Sequence, residues 1–550
     1  MPSIRALRRS TVGLLAFALI SVTGIARAAT PTVTGLDPER GTPGIPVVIS
    51  GSGFASANQV EFNGVNADFT VDSDIQITAT VPRGSLTGPV TVTTPGGSAS
   101  SPGNFVVQPN IVLILTDDQR YDELSMPNVR SALMAKGVTF SNGFVVNPLC
   151  CPSRATILTG KYSHGTDIYS NVPPHGGFAT FTNNGEDSST IATWLDDAGY
   201  YTGFFGKYLN GYSVKRASYI PPGWNQWGAL ALTGSEGGER VGGYYNYSMG
   251  VNGTLQGYGD APSDYSTNVL GKDAVSFVQK APTDRPFFLY FAPRAPHGPA
   301  TPPKQYKSSF PNLEPLRPPS YNEKDVSDKP AYIKALSRLD PSQRATQDAL
   351  RLHQYQSLLR VDDYVGSIVD ALRKTGRLTD TLIVFSSDNG LTFAEHRWSG
   401  KLVPYEESIR VPIIARYDAL AGQPGRVDKH LVLNLDFAPT LAAAGGVGAP
   451  GAEGVSSLPL LQQHPAGWRT NFLIEHADFK TPQVPTYCAV RNQRYIYVKY
   501  QTGEEELYDL STDPYELKNL ANDPTEAHIK AFLYARMLQL CSPPPPGYTP

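Results

Sequence analysis

Two distant stretches, "NIVLILTDDQ" at 110–119 and "TLIVFSSDNG" at 381–390, are nearly continuous apolar runs that end in paired polar side chains. A strand that is apolar on both faces belongs inside a parallel sheet covered on both sides. The chain between them alternates in type. It predicts helices at 190–200, 271–281 and 349–376, and strands at "YTGFFGK" (201–207) and "PFFLYFAP" (286–293). That alternation argues for an α/β fold: a large mixed, mostly parallel sheet with helices on both faces. Ligands bind such sheets at the carboxyl ends of the strands, so Asp117, Asp118, Asp388 and Asn389 should reach one edge together. Four oxygen-bearing side chains without a cysteine or histidine pair favour a hard cation such as Ca²⁺ or Mg²⁺. Either pair alone is more often a solvated turn or helix cap. Their convergence is what gives them weight.

At 550 residues the chain is too long for one ordinary domain. Arg5, Arg8 and Arg9, the apolar run "TVGLLAFALI" at 11–20 and "ARA" at 26–28 make residues 1–28 an export signal, too short to span a bilayer. No later stretch would anchor the protein, so the expected location is secreted or periplasmic. Residues 30–107 shift to Gly, Pro, Val, Thr and Ser, in short alternating runs such as "QVEFNG" and "DIQITATVP" separated by turn residues. These predict a small all-β sandwich. Its stretch "VTGLDPERGTPGIPVVISGSGF" (33–54) resembles the IPT/TIG immunoglobulin-like family, and a spacer role is favoured there over glycan binding. A net charge of −3, without long runs of one sign, argues against a nucleic-acid partner.

Two of only four cysteines stand side by side in "NPLCCPSRATILTG" (147–160). Cys150 and Cys151 are poorly disposed to bond each other, because a disulfide between neighbours strains the peptide unit. No zinc spacing accompanies them. Cys488 and Cys541, by contrast, could form a disulfide in an oxidising compartment. Pro152 suits the first turn of a helix, which sets Cys150 at a helix N-terminus, where backbone N–H groups favour an anion.

The stretch resembles the sulfatase signature, in which C-x-P-S-R followed by L-T-G directs oxidation of the first cysteine to Cα-formylglycine. The resemblance implies that Cys150 is the modified residue and that a formylglycine-generating enzyme acts during maturation. It extends from Asn110 to about Leu540, as a catalytic domain at 109–465 and a C-terminal subdomain at 466–545 with a smaller antiparallel sheet. "TDDQ" (116–119) and "SDNG" (387–390) match the family's metal motifs and imply that Asp117, Asp118, Asp388, Asn389 and modified Cys150 surround Ca²⁺. "GKYLN" (206–210), "APHGP" (295–299) and "WSGKLVPYEESIRVP" (398–412) imply that Lys207, His297 and Lys401 join Arg154 in the catalytic pocket. Asn210 and His396 are the expected substrate-binding residues. "ELYDLSTDPYELKNLA" (506–521) resembles the family's C-terminal sheet and helix. Many sulfatases carry a histidine where this chain has Leu209; "GKYLN", "LCCPSRATILTGKY" and "PPGWNQW" (221–227) instead resemble the glucosamine-6-sulfatase branch.

The implied activity is hydrolysis of sulfate monoesters of sugars, of the N-acetylglucosamine-6-sulfate type, with aryl sulfates as surrogates. A sulfate ester is ringed by negative oxygens, so cations must neutralise charge before a nucleophile approaches. A hydrated aldehyde at position 150 would attack sulfur with one hydroxyl and release sulfate through the other, and His297 or Lys401 would protonate the leaving alcohol. Two alternatives remain: a phosphonate monoester hydrolase or phosphodiesterase of the same superfamily, and a non-catalytic glycan-binding adhesin. The Gly- and Tyr-rich stretch 212–265, with Trp224 and Trp227, either walls a sugar cleft or packs on the core.

Overall fold

A computed structural model describes residues 29–231, 243–420, 422, 424–462, 465–479 and 484–550. The expected export signal at 1–28 lies outside them. Among the described residues no helix is long and apolar enough to cross a membrane.

The N-terminal module is a sandwich of two small sheets. One contains Thr32–Asp37, Pro46–Ser52, Gln76–Thr80 and Phe69–Ser73; the other is built on Gly88–Thr94 and Gly97–Val107. Alternation in sequence becomes alternation in burial: along Gln76–Thr80, Ile77 and Ala79 point inward and are buried. They meet Val47, Ile49, Val90, Val92 and Phe105 in a core of their own. The module touches the rest of the chain through Arg83 and Gly84, which bond the Asp380 carboxylate at 3.1 and 2.7 Å. Asp380 immediately precedes the Thr381–Ser387 strand. The sandwich therefore sits at the amino end of that strand, a strand length away from Asp388.

The central sheet has ten strands, and in its middle Gln226–Ala231, Tyr201–Gly206, Phe287–Ala292, Asn110–Thr116 and Thr381–Ser387 run parallel in that spatial order. Antiparallel strands flank them on both sides. All seven residues of Asn110–Thr116 are buried. Ile111, Leu113 and Leu115 enter one apolar cluster, Val112 and Ile114 the other. The first cluster includes residues of helices Cys150–Thr159, Ile191–Asp197 and Phe437–Ala444. The second includes residues of Ser266–Lys280 and the long helix Pro341–Lys374. Each fully buried aliphatic side chain contributes about 1.5–3 kcal/mol, which makes the continuous apolar run a strong determinant of this central position. The long helix starts where Asp340 accepts the Gln343 N–H at 2.9 Å and Pro341 occupies the first turn.

A second sheet of four antiparallel strands, Asn471–His476, Tyr487–Asn492, Tyr495–Tyr500 and Glu505–Asp509, packs against helix Ala527–Leu540. Cys488 and Cys541 form a disulfide there across a sequence separation of 53. Replacing both by serine should lower stability by about 2–4 kcal/mol, because the unfolded chain loses its cross-link. A thermal melt of the double variant checks this, with an unchanged midpoint as the contrary result.

Trp224 and Trp227 do not wall a cleft. They are 7% and 1% exposed and stack with Phe288 and Phe204 inside the first cluster. Trp227 also donates to the Tyr212 hydroxyl at 2.8 Å. Large aromatic area is worth most when removed from water, and here the sheet surface supplies the partner. Residues 232–242 of the same stretch lie outside the described residues.

Candidate active site

Four neighbouring parallel strands carry most of the site. Within a few residues of their carboxyl ends come Lys207, then Arg294 and His297, then Asp117 and Asp118, then Asp388 and Asn389. Register makes these ends level: Gly206 stands opposite Ala292, and Thr116 opposite Ser387. Gly206 is required at its position. Its φ is 148°, and a Cβ there would lie 1.9 Å from the Ala292 carbonyl oxygen. Asp118 adopts a left-handed φ of 65° and is held by its own N–H, which donates to Asp388 Oδ1 at 3.1 Å.

The fifth contribution is the helix Cys150–Thr159, preceded by Leu149 in extended conformation. Its first residue, Cys150, lies with Sγ 3.7 Å from Asp117 Oδ1 and 2.7 Å from Lys401 Nζ. One turn later Arg154 points back: Nε donates to Asp388 Oδ2 at 2.8 Å and Nη1 to the Lys207 carbonyl at 2.6 Å. Lys207 Nζ is 2.8 Å from Asp117 Oδ2, and Lys401 Nζ is 2.6 Å from Asp118 Oδ1. His297 donates from Nδ1 to the Gly298 carbonyl at 2.8 Å, leaving Nε2 3.5 Å from Asp118 Oδ2. The structure thus gathers Cys150, Arg154, Lys207, His297, Lys401, Asp117, Asp118, Asp388 and Asn389 in one pocket.

Burial alone would raise the Asp117 pKa, but Lys207, His297, Arg154 and Lys401 hold it well below the usual carboxylate range. Burial, followed by the charge of Asp117, pushes Asp388 up to about 6. Lys401 is opposed by burial, yet Asp118, Cys150 and Asp117 outweigh that and keep it an ammonium. The two cysteines differ sharply in setting. Burial pushes the Cys151 thiol up to about 12, and its side chain lies in the apolar cluster rather than the pocket.

These residues fit a divalent cation. Donor atoms of Asp117, Asp118, Cys150 and His297 lie within 4.8 Å of one another. Asn389 donates from Nδ2 to Asp118 at 2.7 Å, while its buried Oδ1 has no hydrogen-bond partner among the described residues. Carboxylate and amide oxygens are the donors that hard cations take.

Two other expected residues fall elsewhere. Asn210 is 8% exposed: its carbonyl accepts from Phe178 N–H at 2.6 Å, and its side-chain oxygen has no hydrogen-bond partner among the described residues. His396 lies outside this gathering. It is fully buried, donates from Nδ1 to Glu323 Oε2 at 2.7 Å and packs on Tyr405, so its ring joins a separate acidic cluster. Leu209 is buried in the first apolar cluster. Sequence reasoning missed Arg294, which donates to the Gly298 carbonyl at 3.3 Å beside His297. An arginine just beyond a buried strand, as in "FAPRAPHG", was the available signal. It also missed Gln354, whose side chain donates to the Pro296 carbonyl at 3.2 Å, behind the loop that carries His297. Nothing in its mid-helix context marks it.

The family model described as Sulfatase matches residues 109–447, that of the N-sulphoglucosamine sulphohydrolase C-terminal region matches 394–542, and IPT/TIG matches 31–107. The chain is 31% identical over 484 residues to N-acetylglucosamine-6-sulfatase of Capra hircus, covering 80% of this chain and 84% of the relative. It is 34% identical over 391 residues to a protein of Drosophila melanogaster described as an extracellular sulfatase SULF-1 homolog. That match covers 67% of this chain and 33% of the relative, so the chain spans about a third of its length. Among solved structures, one of a protein in complex with its substrate D-glucosamine-2-N,6-O-disulfate aligns with a TM-score of 0.66 at 23% identity. It covers 79% of this chain and 98% of that one.

Proposed function

This chain belongs to the sulfatase family, enzymes that hydrolyse sulfate esters, and from that premise we propose that it removes a 6-O-sulfate from a glucosamine-type sugar through an oxidised Cys150. The observation that carries this reading is the setting of Cys150: it starts a helix among three carboxylates and three cations, while Cys151 turns away into the core. The reading also draws on the similarity to N-acetylglucosamine-6-sulfatase along most of the chain. The chain would be matured by a formylglycine-generating enzyme and act after export, in keeping with residues 1–28 and with relatives named extracellular.

Asp117, Asp118, Asp388 and Asn389 would hold Ca²⁺, with position 150 as a further ligand. When bound it supplies positive charge for a sulfate oxygen. Oxidised to the aldehyde and hydrated, position 150 would supply two hydroxyls on one carbon, one to attack sulfur and one to provide the exit that a serine lacks. The surrounding side chains prepare that event. Arg154, Lys207 and Lys401 balance the charges of Asp117, Asp118 and Asp388, so a sulfate group meets no net negative charge from them. The helix amino end at Cys150 adds a partial positive charge. His297 Nε2 and Lys401 Nζ, both beside Asp118, would deliver a proton to the departing alcohol.

A panel of 6-O-sulfated glucosamine saccharides, an aryl sulfate and a phenylphosphonate ester tests the assignment. The sugar sulfate should give the highest kcat/KM. His297→Ala and Lys401→Ala should each lower it by about 10²–10⁴-fold, and lower the aryl sulfate less, because a phenolate leaves with little help. Equal losses on both substrates would exclude proton delivery by these residues. Preference for the phosphonate ester would replace the reading with a phosphonate monoester hydrolase, and no turnover of any ester by oxidised enzyme would leave a binding protein.

A further inference from the structure

Behind the turn that carries Asp388 and Asn389, a second set of donors converges. One donor atom each from His396, Glu407 and Glu516 lies within 4.8 Å of the other two. All three side chains are buried, at 0%, 7% and 1% exposure. Each keeps a buried atom without a hydrogen-bond partner among the described residues: His396 Nε2, Glu407 Oε2 and Glu516 Oε1. Leaving such atoms unpaired costs free energy, and here three of them share one place.

The surroundings shape a ligand set. Glu323 Oε2 accepts from His396 Nδ1 at 2.7 Å, which leaves the Nε2 lone pair free; a carboxylate behind an imidazole is how metal-binding histidines are oriented. Glu516 Oε2 is taken by the Glu406 N–H at 3.0 Å, and Glu407 Oε1 is within 3.5 Å of Ser320 Oγ. Among the described residues neither carboxylate has an ion pair of its own; Arg120 pairs with Glu395 and Arg491 with Glu406. Backbone strain marks the same residues. Ala394, His396, Arg397 and Glu516 have φ of 106°, 50°, 63° and 54°, a region that non-glycine residues rarely adopt. The histidine loop is held there by Arg397, which donates to the carbonyls of Glu323, Leu336 and Lys324, and by His396 N–H on the Ser320 carbonyl at 2.8 Å.

We propose that His396, Glu407 and Glu516 form a second metal site, separate from the catalytic one, for a divalent transition ion of the zinc type. One imidazole nitrogen with two carboxylate oxygens suits zinc, whereas calcium takes six to eight oxygens. Two glutamates beside one histidine supply two carboxylates to balance the two charges of the ion. The role is to brace the catalytic turn. Glu407 lies in the short helix Glu406–Ile409, whose Ser408 carbonyl accepts the Gly390 N–H at 3.0 Å. A Cβ on Gly390 would come within 2.2 Å of the Glu407 carbonyl oxygen, so helix and turn are in direct contact.

The test uses untagged full-length protein in which Cys150→Ala and Asp388→Ala have disabled the catalytic cation site. After chelator dialysis, this protein should take up one equivalent of Co²⁺ with a visible absorption spectrum of nitrogen and oxygen ligation. Zn²⁺ should displace the cobalt and raise Tm by about 3 °C. Adding His396→Ala, or separately Glu516→Gln, should abolish the band and the shift. A protein that shows neither cobalt band nor zinc-dependent Tm change would overturn the site and leave a proton-sharing carboxyl cluster; this outcome needs no further variant to fold. A band that survives His396→Ala would also overturn it.

Discussion

Cys150→Ala is expected to lower kcat on any sulfate ester by on the order of 10⁴-fold or more, the scale seen when a covalent nucleophile is removed. Cys151→Ala, one residue away, should leave kcat within about threefold. The difference follows from placement. Cys150 opens the helix with its sulfur 2.7 Å from Lys401 and 3.7 Å from Asp117. Cys151 packs in the apolar cluster, and burial pushes its thiol up to about 12, so it carries no thiolate at neutral pH. Peptide mass spectrometry of active enzyme, made together with a formylglycine-generating enzyme, should show an aldehyde at 150 and an intact thiol at 151. Full activity in a preparation whose Cys150 remains a thiol would end the nucleophile assignment.

Asp388→Ala should remove the catalytic cation and lower kcat/KM by about 10³-fold or more, because it deletes an oxygen donor and strands Arg154. Arg154 Nε loses its 2.8 Å partner while remaining 2% exposed and keeps only the more distant Asp117, 3.8 Å from Nη2; truncating one member of a buried pair costs about 3–5 kcal/mol. Elemental analysis should find calcium in the parent enzyme and none in the variant. Asp388→Asn separates the two effects: it keeps the shape and weakens the cation site, so added calcium should restore part of the rate. The acid limb has a definite sign. Burial and Asp117 push Asp388 up to about 6 without the cation, so protons compete with calcium below that pH. Calcium affinity should fall as pH drops through about 6 and be largely independent of pH above about 7. Affinity that rises on acidification would contradict Asp388 as a ligand.

Much of this protein was legible in its residues because short-range rules suffice for it. A run such as Ile111 to Leu115, apolar at every position, is stable only in the middle of a covered sheet, and the structure buries all of it. Polar residues at the ends of two such runs must then emerge on one edge, as Asp117 and Asp388 do. Pro152 and the extended Leu149 put Cys150 at a helix start by local geometry alone. The alternating runs of 30–107 encode a sandwich in the same way.

What sequence could not decide are contacts between residues hundreds of positions apart, since spacing along a chain carries no information about which surfaces meet. His396 reads in sequence as a substrate residue, and only the fold sets it beside Glu323, Glu407 and Glu516. Trp224 and Trp227 read equally as cleft wall or core until the sheet surface claimed them. Arg294 and Gln354 acquire meaning only because parallel pairing brings the Phe287–Ala292 strand beside Asn110–Thr116 and packs the long helix behind both. Local patterning therefore determined the elements and the chemistry at their ends. Packing of the two sheet faces decided strand order and with it which charges became partners, because the apolar area buried there outweighs any single polar contact.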